Sequence, residues 1–164
     1  MDVFYKSEPG HVFLILQKIN SPDTISKVFG FYPLLDLPVF FTNVRSVIKD
    51  NSKREYDVEI SKMLTAEQFQ KAVSLSIEYS KRKYHLTRFN CYDYTIEIFN
   101  TVAGETLPVT RVKFPLWYGK GGSPCGFYKY MKEQKESASS LAPYISFGNM
   151  VAPSSNKIHV ASGH

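Results

Sequence analysis

Apolar residues in the first third of the chain come in short runs separated by turn-forming residues. Val12–Leu16 is rich in strand formers and is entered through Pro9, Gly10 and His11. The polar stretch Asn20-Ser21-Pro22-Asp23 follows, then a second run from Thr24 to Tyr32 that stops at Pro33. Two strand-like runs around such a stretch predict a β-hairpin with a longer loop. Leu34–Thr42 sits among Pro33 and Pro38 and is predicted to be irregular. Tyr56–Ile60 alternates apolar and charged residues, the pattern of a half-buried strand.

The period then changes to helical. Thr65 and Gln68 form a capping-box pair, and Phe69, Ala72, Val73, Ser76, Ile77 and Ser80 recur at helical spacing behind it. A second helix is predicted from Asn90-Cys91 through Tyr94, Ile98 and Val102, with Gly104 as its stop. Past Pro108 the pattern weakens. Gly119, Gly121 and Gly122 predict a flexible stretch, and Ser123-Pro124 opens a short helix through Tyr130 and Met131. From Lys135 onward Ser, Ala and Gly dominate and predict a loosely ordered segment. The fold class that follows is α+β, an antiparallel sheet packed against helices. The main domain spans residues 1–134, and residues 135–164 form a Ser/Ala/Gly-rich C-terminal segment with the option of packing on the same domain.

Composition narrows the function classes. A chain of 164 residues is one domain in size, and its net charge of +5 favours anionic polymers as partners. Its basic residues are scattered, with short clusters only at Lys53-Arg54 and Lys81-Arg82-Lys83, and they accompany no nucleic-acid motif. Nucleic acid is therefore not an expected partner. Two cysteines, Cys91 and Cys125, are too few for a disulfide framework or for a four-cysteine zinc site. No metal and no cofactor are expected. The N-terminus lacks the basic head and apolar run of a cleaved signal peptide, and no stretch reaches the roughly 18 apolar residues of a membrane span. Synthesis in the cytoplasm is expected, with any export through a specialised secretion system.

Cys91 carries the candidate chemistry. A cysteine at a helix N-terminus faces unpaired amides and the positive end of the helix dipole, which favour the thiolate that a nucleophile needs. The same amides can serve an oxyanion. The plain alternative is a small buried hydrophobe. A base must come from His11, His85, His159 or His164. His159 and His164 lie in the terminal segment, and His85 precedes the helix on a loop. His11 opens the first strand, from which a ring can project toward a helix end. Asn90 is either a helix cap or an oxyanion and positioning group.

Gly10-His11-Val12-Phe13-Leu14, Phe29-Gly30-Phe31-Tyr32-Pro33 and Phe89-Asn90-Cys91-Tyr92-Asp93-Tyr94, in that order, resemble the circularly permuted papain-like branch of the NlpC superfamily. That branch includes lecithin:retinol acyltransferase-like proteins and bacterial effector amidases. The resemblance spans residues 9–104 and implies a papain-like domain with Cys91 as nucleophile and His11 as base. It leaves the third member open between Tyr32, Asp93 and a backbone carbonyl. The function it implies is a cysteine hydrolase that cleaves an amide bond through an acyl-enzyme. A bacterial cell-wall peptide is the substrate expected of an effector or toxin, and an immunity protein would be its partner. Two alternatives are a lipid acyltransferase or phospholipase of the lecithin:retinol acyltransferase-like type, and a non-catalytic binding module of the same fold.

Overall fold

The computed structural model describes residues 10–19, 24–35, 39, 41–113 and 119–156. Strand β1 (Leu14–Ile19) pairs antiparallel with β2 (Thr24–Pro33), from Leu14 opposite Phe29 to Ile19 opposite Thr24. The hairpin is where the sequence predicts it. Its ladder begins after Val12 and Phe13 and runs on to Ile19; the turn residues 20–23 lie outside the described residues.

A third strand, β3 (Ser46–Asp50), pairs antiparallel with the other side of β2, from Phe29 opposite Asp50 to Pro33 opposite Ser46. Side chains alternate between the two faces of such a sheet. Leu14, Leu16, Phe29 and Phe31 turn to the helices. Val28, Gly30 and Tyr32 turn to the other face, with Lys49 and Asn51 beside them. β4 (Glu55–Ile60) follows the turn at 51–54.

Helix α1 (Ala66–Tyr79) has the capping box its sequence predicts, with the Gln68 amide donating to Thr65 Oγ1 and the Thr65 amide to Gln68 Oε1. Helix α2 (Cys91–Ala103) is capped by Asn90 and ends at Gly104, whose φ of 66° is left-handed and suits a residue without Cβ. Burial on two sides makes α2 the central element. Tyr94, Ile98 and Val102 join Leu14, Leu16 and Phe31 in one core cluster, while Tyr92 and Ile96 join Leu107, Phe127, Met131 and Ile145 in another.

Two expectations about the remainder need correction. Gly121 and Gly122 are not a flexible stretch: they lie in β6 (Lys120–Gly122), which pairs antiparallel with β5 (Arg111–Lys113). Nor is the chain beyond Lys135 loose. Helix α3 (Pro124–Glu136) leads through a 3-10 turn, Ala142–Tyr144, into β7 (Ile145–Val151), which pairs antiparallel with β4. Ile145 is 1% exposed, so the Ser- and Gly-rich segment contributes to the core in spite of its composition. The architecture is α+β, and no helix among the described residues is long and apolar enough to cross a membrane.

Truncating Ile145 tests that correction. Ile145→Ala should lower the unfolding free energy by about 2–5 kcal/mol, the cost of emptying a buried aliphatic site. The check is the urea midpoint at unchanged m-value. A loss below about 0.5 kcal/mol, the usual range for a surface position, would mean that β7 is not part of the core.

Candidate functional site

Asn90 sets the start of α2. Its Oδ1 accepts from the amides of Tyr92 (2.8 Å) and Asp93 (3.3 Å), and its Nδ2 donates to the carbonyls of Leu86 (2.8 Å) and Gly122 (2.9 Å). Both amide protons are thus committed, which makes Asn90 the helix cap. Asp93 answers with Oδ2 accepting from the Asn90 amide at 3.0 Å, and Arg111 holds its Oδ1 at 3.0 Å. Burial still raises the carboxyl of Asp93 above its ordinary range, against the pull of those partners.

Cys91 follows as the first helical residue, 6% exposed, with a free thiol. The amides of Val12 and Tyr92 and the hydroxyl of Tyr84 face its sulfur and favour the thiolate. Burial outweighs them and pushes the thiol above its ordinary pKa. The helix N-terminus alone predicts the opposite sign; the difference is desolvation of a sulfur sealed inside the core. Tyr84 is itself buried and its phenol is held far above the usual range, by burial first and by Cys91 second.

His11 stacks on Tyr32 with ring centroids 4.2 Å apart and planes 23° apart, and on Phe13 at 6.4 Å and 13°. A Cβ placed on Gly30 would lie 2.4 Å from His11 Nε2, so the imidazole rests on bare backbone that only glycine leaves open. The ring therefore shares its face of the sheet with Gly30 and Tyr32. Phe31 points to the opposite face, where it stacks on Tyr94 of α2 at 4.9 Å. Burial, and then the charge of Arg54, lower the His11 pKa from 6.5 to about 4.

The sequence candidates separate into two groups around Val12. Its amide reaches Cys91, while the neighbouring ring of His11 meets Tyr32. The hydroxyl of Tyr32 does not address the imidazole: it donates to Asn51 Oδ1 at 3.1 Å and lies 3.3 Å from Arg54 Nη1. His85 is buried in the turn before α2, bridged to Phe89, with Nδ1 engaged by the Thr87 amide at 3.2 Å. His159 and His164 lie outside the described residues. Cys125 is an exposed free thiol on the first turn of α3.

Tyr84 and Asn51 are the polar neighbours that sequence reasoning misses. Neither carries a local signal, because each reaches the site through pairing of distant segments. Among the described residues no group of three or more His, Cys, Asp or Glu side chains could hold a metal ion. No protein-family model matches the chain, no curated protein matches it in sequence and no solved structure matches its fold.

The burial of His11 carries a pH signature. The unfolded chain takes up this proton near pH 6.5 and the folded chain only near pH 4, so protonation favours unfolding between those values. The stability is present in full above about pH 6.5 and is lost as pH falls toward 4, by an amount on the order of 3 kcal/mol. His11→Phe, which keeps an aromatic ring on Tyr32, should lose less stability over that window when both proteins are followed by urea titration. Parallel losses would show that His11 is not held neutral.

Proposed function

We propose that the chain is a cysteine hydrolase of the permuted papain-like type, cleaving an amide bond through an acyl-enzyme on Cys91. The observation that supports it best is the convergence of the Val12 amide and the Tyr84 hydroxyl on a helix-terminal sulfur. A thiol that merely fills space has no use for such donors, whereas a nucleophile and the oxyanion it creates require them. His11 is the base that the motif resemblance implies, and its ring rests on the face of β2 turned away from α2. Thiol and imidazole rest in their neutral forms on opposite faces of β2, so the ring must turn toward the sulfur before the proton passes from Cys91 to His11 as the carbonyl is attacked, in general-base fashion. The imidazolium then protonates the leaving amine, and water releases the acyl group. A bacterial cell-wall peptide is the substrate class that the motif resemblance favours.

A second reading has its own observation. The imidazole occupies the face of the sheet turned away from α2, packed on Tyr32, which is the arrangement of a binding module that retains the fold without the chemistry.

Digestion of purified peptidoglycan, followed by mass spectrometry of the released fragments, separates the two. The hydrolase should generate new amine and carboxyl ends. Cys91→Ser should abolish them, His11→Ala should reduce the rate by about 10²–10⁴-fold, and Cys125→Ser should leave it nearly unchanged. Intact peptidoglycan and intact phospholipid vesicles, together with a Cys91 that reacts with no thiol probe in the folded protein, would favour the binding module. Lipid cleavage instead would point to the acyltransferase-like alternative.

A further inference from the structure

Two polar atoms on the β2 face are buried without a hydrogen-bond partner, His11 Nε2 and Asn51 Nδ2. Both converge on Gly30: a Cβ there would lie 2.4 Å from the first and 2.8 Å from the second. One is an amide donor and the other a ring nitrogen that accepts whenever its proton sits on Nδ1. Asn51 is 5% exposed, so no bulk water reaches the pair. Leaving both unpaired carries a desolvation penalty that a bond between them would remove.

The surrounding hydrogen bonds decide which end of the Asn51 amide faces the ring. Arg54 can only donate, so the Tyr32 hydroxyl accepts from it and directs its own proton to Asn51 Oδ1. With Oδ1 occupied by Tyr32, the donor Nδ2 is the end that remains for His11. The backbone fixes Asn51 as well: its amide donates to the Val28 carbonyl at 3.1 Å and its carbonyl accepts from the Arg54 amide at 3.1 Å.

We propose that Asn51 is the positioning residue of His11, its Nδ2 donating to Nε2 and its orientation set by the chain Arg54–Tyr32–Asn51. The neutral imidazole is then held as the Nδ1-protonated tautomer, with the Nε2 lone pair engaged. Burial and the charge of Arg54 keep the ring neutral at pH 7, which leaves the tautomer as the choice that Asn51 makes. Its catalytic meaning rests on His11 being the base, since Asn51 must release Nε2 before that nitrogen can take the Cys91 proton. The tautomer itself does not depend on that reading.

Nitrogen-15 NMR of histidine-labelled protein at pH 7 reads the two ring nitrogens directly. In the wild type Nε2 should show the shift of an unprotonated nitrogen and Nδ1 that of a protonated one. Asn51→Asp offers only acceptors and should move the proton to Nε2. Asn51→Leu should leave a mixture of tautomers, as should Tyr32→Phe, which keeps the stacked ring and removes only the hydroxyl that orients the amide. Circular dichroism confirms that each variant is folded. The same tautomer in all four proteins, or a wild type protonated at Nε2, would overturn the proposal. Peptidoglycan turnover is a separate readout. A tautomer that responds while no protein turns over substrate would sink the hydrolase and leave the role of Asn51 standing, and an unresponsive tautomer in an active enzyme would do the reverse.

Discussion

The stack of Phe31 between Tyr84 and Tyr94 fixes everything else at this end of the molecule. Phe31 is fully buried, with ring centroids 5.5 Å from Tyr84 and 4.9 Å from Tyr94, and Phe89 meets it edge-on at 5.4 Å. Tyr94 ties it to the first turn of α2 and Tyr84 to the turn that feeds that helix, so Cys91 is placed by a residue of β2. Because side chains alternate along a strand, the same peptide turns Gly30 and Tyr32 to the reverse face, where His11 lies. One strand therefore positions the thiol from one face and the imidazole from the other, and Val12 is the backbone link between them.

That arrangement makes desolvation the dominant electrostatic effect. A helix N-terminus stabilises an anion by typically 0.3–1 kcal/mol, rising to about 2 kcal/mol in partly buried sites. Removing a thiolate from water in a core of Phe and Tyr rings costs more than that, and the thiol of Cys91 is raised despite its two amides and a hydroxyl. The imidazole obeys the same rule with the opposite sign, since burial and Arg54 both oppose its cation. A resting thiolate–imidazolium pair does not suit this geometry. Neutral thiol and neutral imidazole do, each held uncharged on its own face of β2.

Local chemistry made the helices and the setting of Cys91 legible in the sequence. Thr65 with Gln68 and Asn90 with Asp93 are capping boxes readable within four residues, and Gly104 marks a stop by its own backbone freedom. The strand β3 is different: Ser46–Asp50 is mostly solvent-facing and owes its existence to the edge of β2, so its sequence carries little alternation. β7 had alternation at Ile145 and Phe147, but small residues on both sides masked it, and only pairing with β4 settles its state. Asn51 and Tyr84 fall in the same class. Each looks like an ordinary loop residue until distant strands bring it to the site.

The dependence of the site on distant chain extends to the C-terminal segment. Asp50 Oδ1 accepts from the Ser52 amide at 2.9 Å and from Ser155 Oγ at 2.9 Å, while the Ser155 amide donates to Ser52 Oγ at 2.7 Å. The Lys53 amide donates to the Ala152 carbonyl at 3.0 Å, and the Ala152 amide to that of Arg54 at 2.9 Å. These bonds hold the turn that carries Asn51 and Arg54, with Lys53 kept at a φ of 62° inside it. A left-handed backbone at a lysine is unfavourable alone and persists because both flanks are tied. The segment whose composition reads as loose is thus what keeps Asn51 and Arg54 beside Tyr32 and His11. A site assembled from β1, β2 and the turn after β3 stays in register only while β7 and the residues behind it remain docked.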